Sequence, residues 1–142
     1  MSLLSGVDIS ASGLTAQRLR MNTISNNIAN VNTTRTEDGG PYRRKMPVFA
    51  AKMNEELSRR QRMSDKPGTG VKVTGIRESD EPPKMMYKPE HPDANEDGYV
   101  AKPNIDVVSE MTDMISATRS YEANVTALNS AKEMAKSALN IG

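Results

Sequence analysis

Histidine and cysteine carry much of protein nucleophilic and metal chemistry, and this 142-residue chain has one histidine and no cysteine. The histidine, His91, sits between Pro89 and Pro92. With no second imidazole and no thiol, neither a histidine-based triad nor a zinc site can be assembled within one chain, and His91 reads as a solvated loop residue. Asp93, Asn95 and Asp97, followed by Gly98 and Val100, reproduce the opening of a calcium loop, in which alternate side chains turn inward and a glycine makes the sharp bend. The pattern fails where the closing bidentate Glu is needed: that place is Asn104, next to Pro103, and Pro89 and Pro92 block an entering helix. The segment is therefore expected to be a polar linker through Asp97, Gly98, Tyr99, Pro103 and Asn104, with Asp97-Gly98 reversing the chain. A calcium-binding module built on Asp93 to Asn104 stands as the alternative.

Phosphate and nucleic-acid chemistry fare no better. Gly68-Thr69-Gly70 lacks the third glycine and the strand-to-helix setting of a dinucleotide loop, and reads as a hairpin turn. Arg43, Arg44 and Lys45 with Arg59, Arg60 and Arg62 form a basic cluster, but one Phe and four Tyr supply no stacking platform and the net charge is only +1. A solvated or interface face is expected. No catalytic constellation, cofactor, metal, nucleic acid or small-molecule substrate is indicated.

The chain that must position these residues divides into three parts. All eight prolines lie between Pro41 and Pro103, so residues 1–34 and 104–142 are left free for helix and 35–103 carries the turns. Residues 104–141 contain neither Gly nor Pro, enough for a helix of about 57 Å started by Asn104 or Asp106. Val107, Met114, Tyr121, Leu128 and Ala135 recur at seven-residue spacing, and a second, weaker series runs Met111, Thr118, Val125, Lys132, Leu139. The N-terminal part matches with Val7, Leu14, Met21 and Ile28, supplemented by Leu3, Ile24 and Val31 and interrupted at Ser10 and Gln17. The middle reads as a long hairpin or small sheet: a strand within Tyr42 to Met53, a solvated stretch from Glu55 to Met63, a second strand from Val71 to Arg77 and a third from Met85 to Lys88. The fold class is thus mainly α with a small β part, the terminal helices packed as a coiled coil.

Spacing alone fits equally an internal two-helix seam and an intermolecular one. Composition favours the second: Leu, Ile, Val and Phe together number 24, close to the level where a chain cannot repay its ordering entropy by burial. The termini are therefore expected to be loose until a partner covers them in a larger assembly; a soluble coiled-coil adaptor, folded as an oligomer in isolation, stands as the alternative. The N-terminus lacks a basic region and carries Asp8, unlike a cleavable signal peptide. No apolar run approaches the ~20 residues of a membrane span.

Asn22, Asn26, Asn27, Asn30 and Asn32 crowd the N-terminal stripe although Asn is a weak helix former, so their amides are expected to bond across to neighbouring subunits. The run from Ser12 to Arg35, and the C-terminal run from Ser109 to Asn124 with Asn129 after it, resemble the terminal signatures of bacterial flagellar axial proteins, the rod and hook group. His91 to Asn104 is similar to a linker of short rod members. The resemblance implies paired terminal helices in the inner tube of a helical filament and a middle region packed outside. It further implies export, unfolded, through the flagellar type III apparatus to the basal body in the cell envelope. Implied partners are copies of the chain, other rod proteins, and the membrane-ring and export-gate base. The implied assembly residues are those of the seams, Leu14, Met21, Ile24, Ile28, Val31, Val107, Met114, Tyr121, Val125, Leu128 and Ala135, with the amides of Asn26, Asn27, Asn30, Asn124 and Asn129.

Overall fold

The computed structural model describes residues 3–52 and 69–141; the stretch from Glu55 to Met63, with Arg59, Arg60 and Arg62, lies outside them. Helix α1 spans Leu3–Ala29, strands β1 to β4 span Lys45–Ala51, Val71–Glu78, Lys84–Tyr87 and Tyr99–Lys102, and helix α2 spans Val107–Ile141. The helices of 27 and 35 residues are about 40 and 52 Å long.

Helix α1 ends at Ala29, so Asn30 and Val31 lie in the turn that follows it. Asn30 makes that end: its Nδ2 donates to Asn26 O at 2.9 Å and its Oδ1 accepts from Thr33 Oγ1 at 3.1 Å. Helix α2 begins at Val107 because Asp106 caps it, accepting the Val108 N–H at 3.2 Å and the Ser109 hydroxyl at 2.7 Å. Asn104 stays outside the helix and donates to Glu81 at 3.1 Å.

The two helices pack antiparallel. Arg20 meets Asp113, Asn27 meets Glu110, and a Cβ on Gly13 would come within 3.0 Å of Asn124 Cγ, so rising numbers on α1 meet falling numbers on α2. On this register α2 residues beyond about 134 run past the start of α1. The deepest line on α2 is Glu110, Ala117 and Ala131, with Asn124 half-buried between them. Small side chains there let the backbones approach, and Gly13 is the matching gap on α1. Val107, Met114, Tyr121, Leu128 and Ala135 flank this line, all half-buried. In the second series only Val125 is half-buried, while positions 111, 118, 132 and 139 are exposed.

The middle forms two separate two-stranded sheets. Strands β1 and β2 pair antiparallel, Lys45 with Glu78 through to Ala51 with Val71, with an irregularity between Val48 and Phe49. Backbone bonds between Lys52 and both Thr69 and Gly70 extend the ladder, so the expected hairpin is present and rests on α1. The third strand does not join it: β3 pairs with β4, a strand in the stretch read as linker. Among the described residues the buried apolar set is Ala16, Ile24, Val100, Ile105, Ala117 and Ala131, a small core in keeping with the composition.

Candidate assembly interface

A buried polar joint fixes the end of α1, the start of β1 and the start of α2. Asn27 and Glu110 are each only 1% exposed. Asn27 Oδ1 accepts the Lys45 N–H at 2.9 Å and the Tyr42 hydroxyl at 3.1 Å, while Nδ2 donates to Lys45 O at 2.9 Å and Glu110 Oε2 at 3.0 Å. The Arg44 guanidinium donates from Nε to Glu110 Oε1 and lies 3.6 Å from Asp113, which also holds Arg20 at 3.2 Å. Two cations thus neutralise two carboxylates, and the buried charge is both paired and hydrogen-bonded, as burial requires. Burial, and the nearby Glu78 and Glu110 carboxylates, push the Tyr42 hydroxyl above its ordinary pKa, so it stays a donor.

This joint revises two expectations. The Asn27 amide is used up inside the chain instead of reaching a neighbour, and Arg44 is an internal ion-pair partner while Arg43 remains exposed. The asparagine ladder divides by position: Asn26 is exposed, Asn27 buried, and Asn30 caps its own helix. On α2, Asn124 is half-buried with Nδ2 on Ser120 O at 2.8 Å, and Asn129 is exposed. Leu14, Met21 and Ile28 are half-buried and Ile24 is buried against the rest of the chain. Gln17 Oε1, at one of the interruptions, is buried with no hydrogen-bond partner among the described residues.

A further exposed apolar surface lies on α2, of which the second seven-residue series marked Met111 and Leu139 but not Val108, Ile115 and Ile141. Val108, Met111 and Ile115 are 72%, 56% and 55% exposed, and Leu139 and Ile141, past the start of α1, are 81% and 88% exposed. Exposed large apolar side chains grouped on a helix are the kind of surface that contacts use. Their 3–4 spacing near Val108 was the available signal.

The oxygen-rich loop is used structurally. Asp93 accepts from Thr34 Oγ1 at 2.8 Å, Asn95 Oδ1 accepts the N–H groups of Asp97 and Tyr99, and His91 Nδ1 accepts the Asp93 N–H at 3.1 Å. Gly98, at φ +80°, turns the chain against Tyr87 and Pro89, and Tyr99 meets Tyr87 edge-to-face at 5.3 Å. Pro103 is buried and Asn104 half-buried. These contacts tie the loop to residues 32–35 and to β3, with Lys102 Nζ reaching Asn32 at 3.1 Å.

Comparison with known proteins bears on the same elements. Residues 8–35 match the family described as flagella basal body rod protein, and residues 96–141 match the one described as flagellar basal body rod FlgEFG protein C-terminal. The chain is 48% identical to the flagellar basal-body rod protein FlgC of Borreliella burgdorferi, over 99% of this chain and 98% of that protein. It is 46% identical to FlgC of Bacillus subtilis, over 100% and 99%, and 41% identical to FlgC of Salmonella typhimurium, over 100% and 99%. Both family matches fall on the helices that pair and on the turns that close them, and the similarity runs through the middle as well. The chain belongs to the FlgC family of flagellar basal-body rod proteins, a structural subunit of the rod and not an enzyme.

Proposed function

We propose that this subunit builds the proximal rod by helical packing of its α1/α2 pair, with residues 35–103 lying outside the helical layer. Its neighbours in this reading are copies of itself, other rod proteins and the membrane-ring and export-gate base. It spans part of the cell envelope, having reached its place unfolded through the flagellar export channel. A small core eases that unfolding. The observation that carries the reading is the exposed apolar end of α2, where Leu139 and Ile141 have no cover among the described residues. Heterologous contacts that do not close generate a helical filament, which requires different faces of one subunit to meet different neighbours. In this scheme the exposed Asn26 and Asn129 amides contact other subunits, and half-buried seam residues such as Met114, Tyr121 and Leu128 are covered completely.

The test is Leu139→Asp with Ile141→Asp. Both side chains are solvent-exposed in the single chain, so its melting temperature is expected to stay unchanged, while incorporation into basal bodies and swimming are lost because carboxylates cannot be buried unpaired. Normal incorporation and motility of this variant would overturn the reading.

A further inference from the structure

Two surfaces on opposite sides of the molecule are complementary in character, one apolar with a carboxylate and one apolar with cations. The first is the outer stripe of α2, Val108, Met111 and Ile115, which Glu122 continues on the same face at about 100° per residue. The second is a groove of about 550 Å³ between α1 and β2, floored by Leu19 and Val73 and edged by Arg18, Lys52 and Lys72, with no carboxylate in its lining among the described residues. Arg119 lies at the margin of the stripe. Contacts at Gly13, Arg20 and Asn27 define the side of α1 that faces α2. Thr15, Leu19 and Asn22, which face the groove, fall on the other side of the same helix. The stripe and the groove therefore look away from each other across the α2–α1–sheet stack.

We infer that the outer stripe of α2 in one copy seats in the α1/β2 groove of the next copy, its apolar residues on Leu19 and Val73 and Glu122 toward the basic rim. The occupant is a second copy of this chain: the stripe is apolar with a carboxylate where the groove is apolar with cations. Opposite placement makes the contact heterologous, so it propagates instead of closing into a dimer. This rests on the rod-subunit reading above and names the faces it uses.

The absence of native cysteine permits a direct test. A chain carrying both Ile115→Cys and Thr15→Cys, two positions with exposed side chains, is expressed as the full protein in cells that build rods from it. Purified rods are then treated with a short bismaleimide. The expected result is a ladder of covalent dimers, trimers and longer species from the double variant, and none above background from either single variant. Within one chain the two sites lie on opposite sides, so an internal link cannot mimic the ladder. Rods that contain the double variant in normal amount but give no ladder overturn the pairing and leave the rod-subunit reading intact; a groove filled by another rod protein or by the chain itself gives this result. Absence of the wild-type chain from purified rods would overturn the parent reading instead. Should the double variant fail to incorporate, Met111→Ser with Ile115→Ser decides. Loss of incorporation with an unchanged melting temperature supports the pairing, and normal incorporation overturns it.

Discussion

Asn27 shows how far a single residue's role can be taken from its neighbours along the chain. Its place beside Ile24 and Ile28 puts it at the edge of an apolar stripe, and from there the periodicity argument sends its amide outward. What turns it inward is the path of residues 42–45, which arrive from a Pro- and Gly-containing turn that no periodicity describes. Lys45 offers it a backbone N–H and C=O, Tyr42 a hydroxyl and Glu110 a carboxylate. Asn27→Ala strips partners from all four, at about 1–3 kcal/mol for each buried group left unsatisfied. Urea unfolding of the free chain is expected to show a loss of several kcal/mol, even though Ala is the better helix former. Unchanged stability would mean that the joint does not hold the monomer together.

At the scale of elements, the helices were readable because every Pro lies in the middle and because apolar residues recur every seven positions at both ends. The closest line of contact was not, since Glu110, Ala117, Asn124 and Ala131 carry little hydrophobic signal and act by being small or by being paired. Strand β4 escaped for a related reason: Tyr99 to Lys102 is four residues long and follows a turn motif, so nothing marks it before its pairing with β3 is seen. The start of α2 was half legible, with Asp106 one of two candidate caps. Hydrogen bonds from the Ser109 hydroxyl, then from the Val108 N–H, hold the Asp106 carboxyl below its ordinary pKa. A carboxyl whose pKa is lowered by folding stabilises above its unfolded value and loses that contribution as pH falls through the folded one. Asp106→Ala is therefore expected to lower the melting temperature at neutral pH, and Asp106→Asn, an equally good cap, to restore most of it. The advantage of wild type over Asp106→Ala should fade in strong acid, as followed by circular dichroism. A constant difference across pH would contradict the capping account.

For the whole molecule, layers run from α2 through α1 to the β1/β2 sheet, with the second sheet tied to the turn after α1. The shortage of large aliphatic residues leads to the expectation of a chain that depends on others for burial; among the described residues the helices cover each other along α1, while the outer face and far end of α2 are exposed. The first series of each helix, 107–135 and 7–28, is half-buried within the chain, whereas Met111 and Leu139 of the second series stand exposed. Hydrogen exchange on the free chain and on the chain within purified rods tests this division most directly. Slow exchange near Asn27 and across residues 110–124 in both states is predicted, with residues 135–141 exchanging quickly in the free chain and slowing strongly in the rod. Equal exchange of residues 135–141 in the two states, or fast exchange at Asn27 and Glu110 in the free chain, would contradict it.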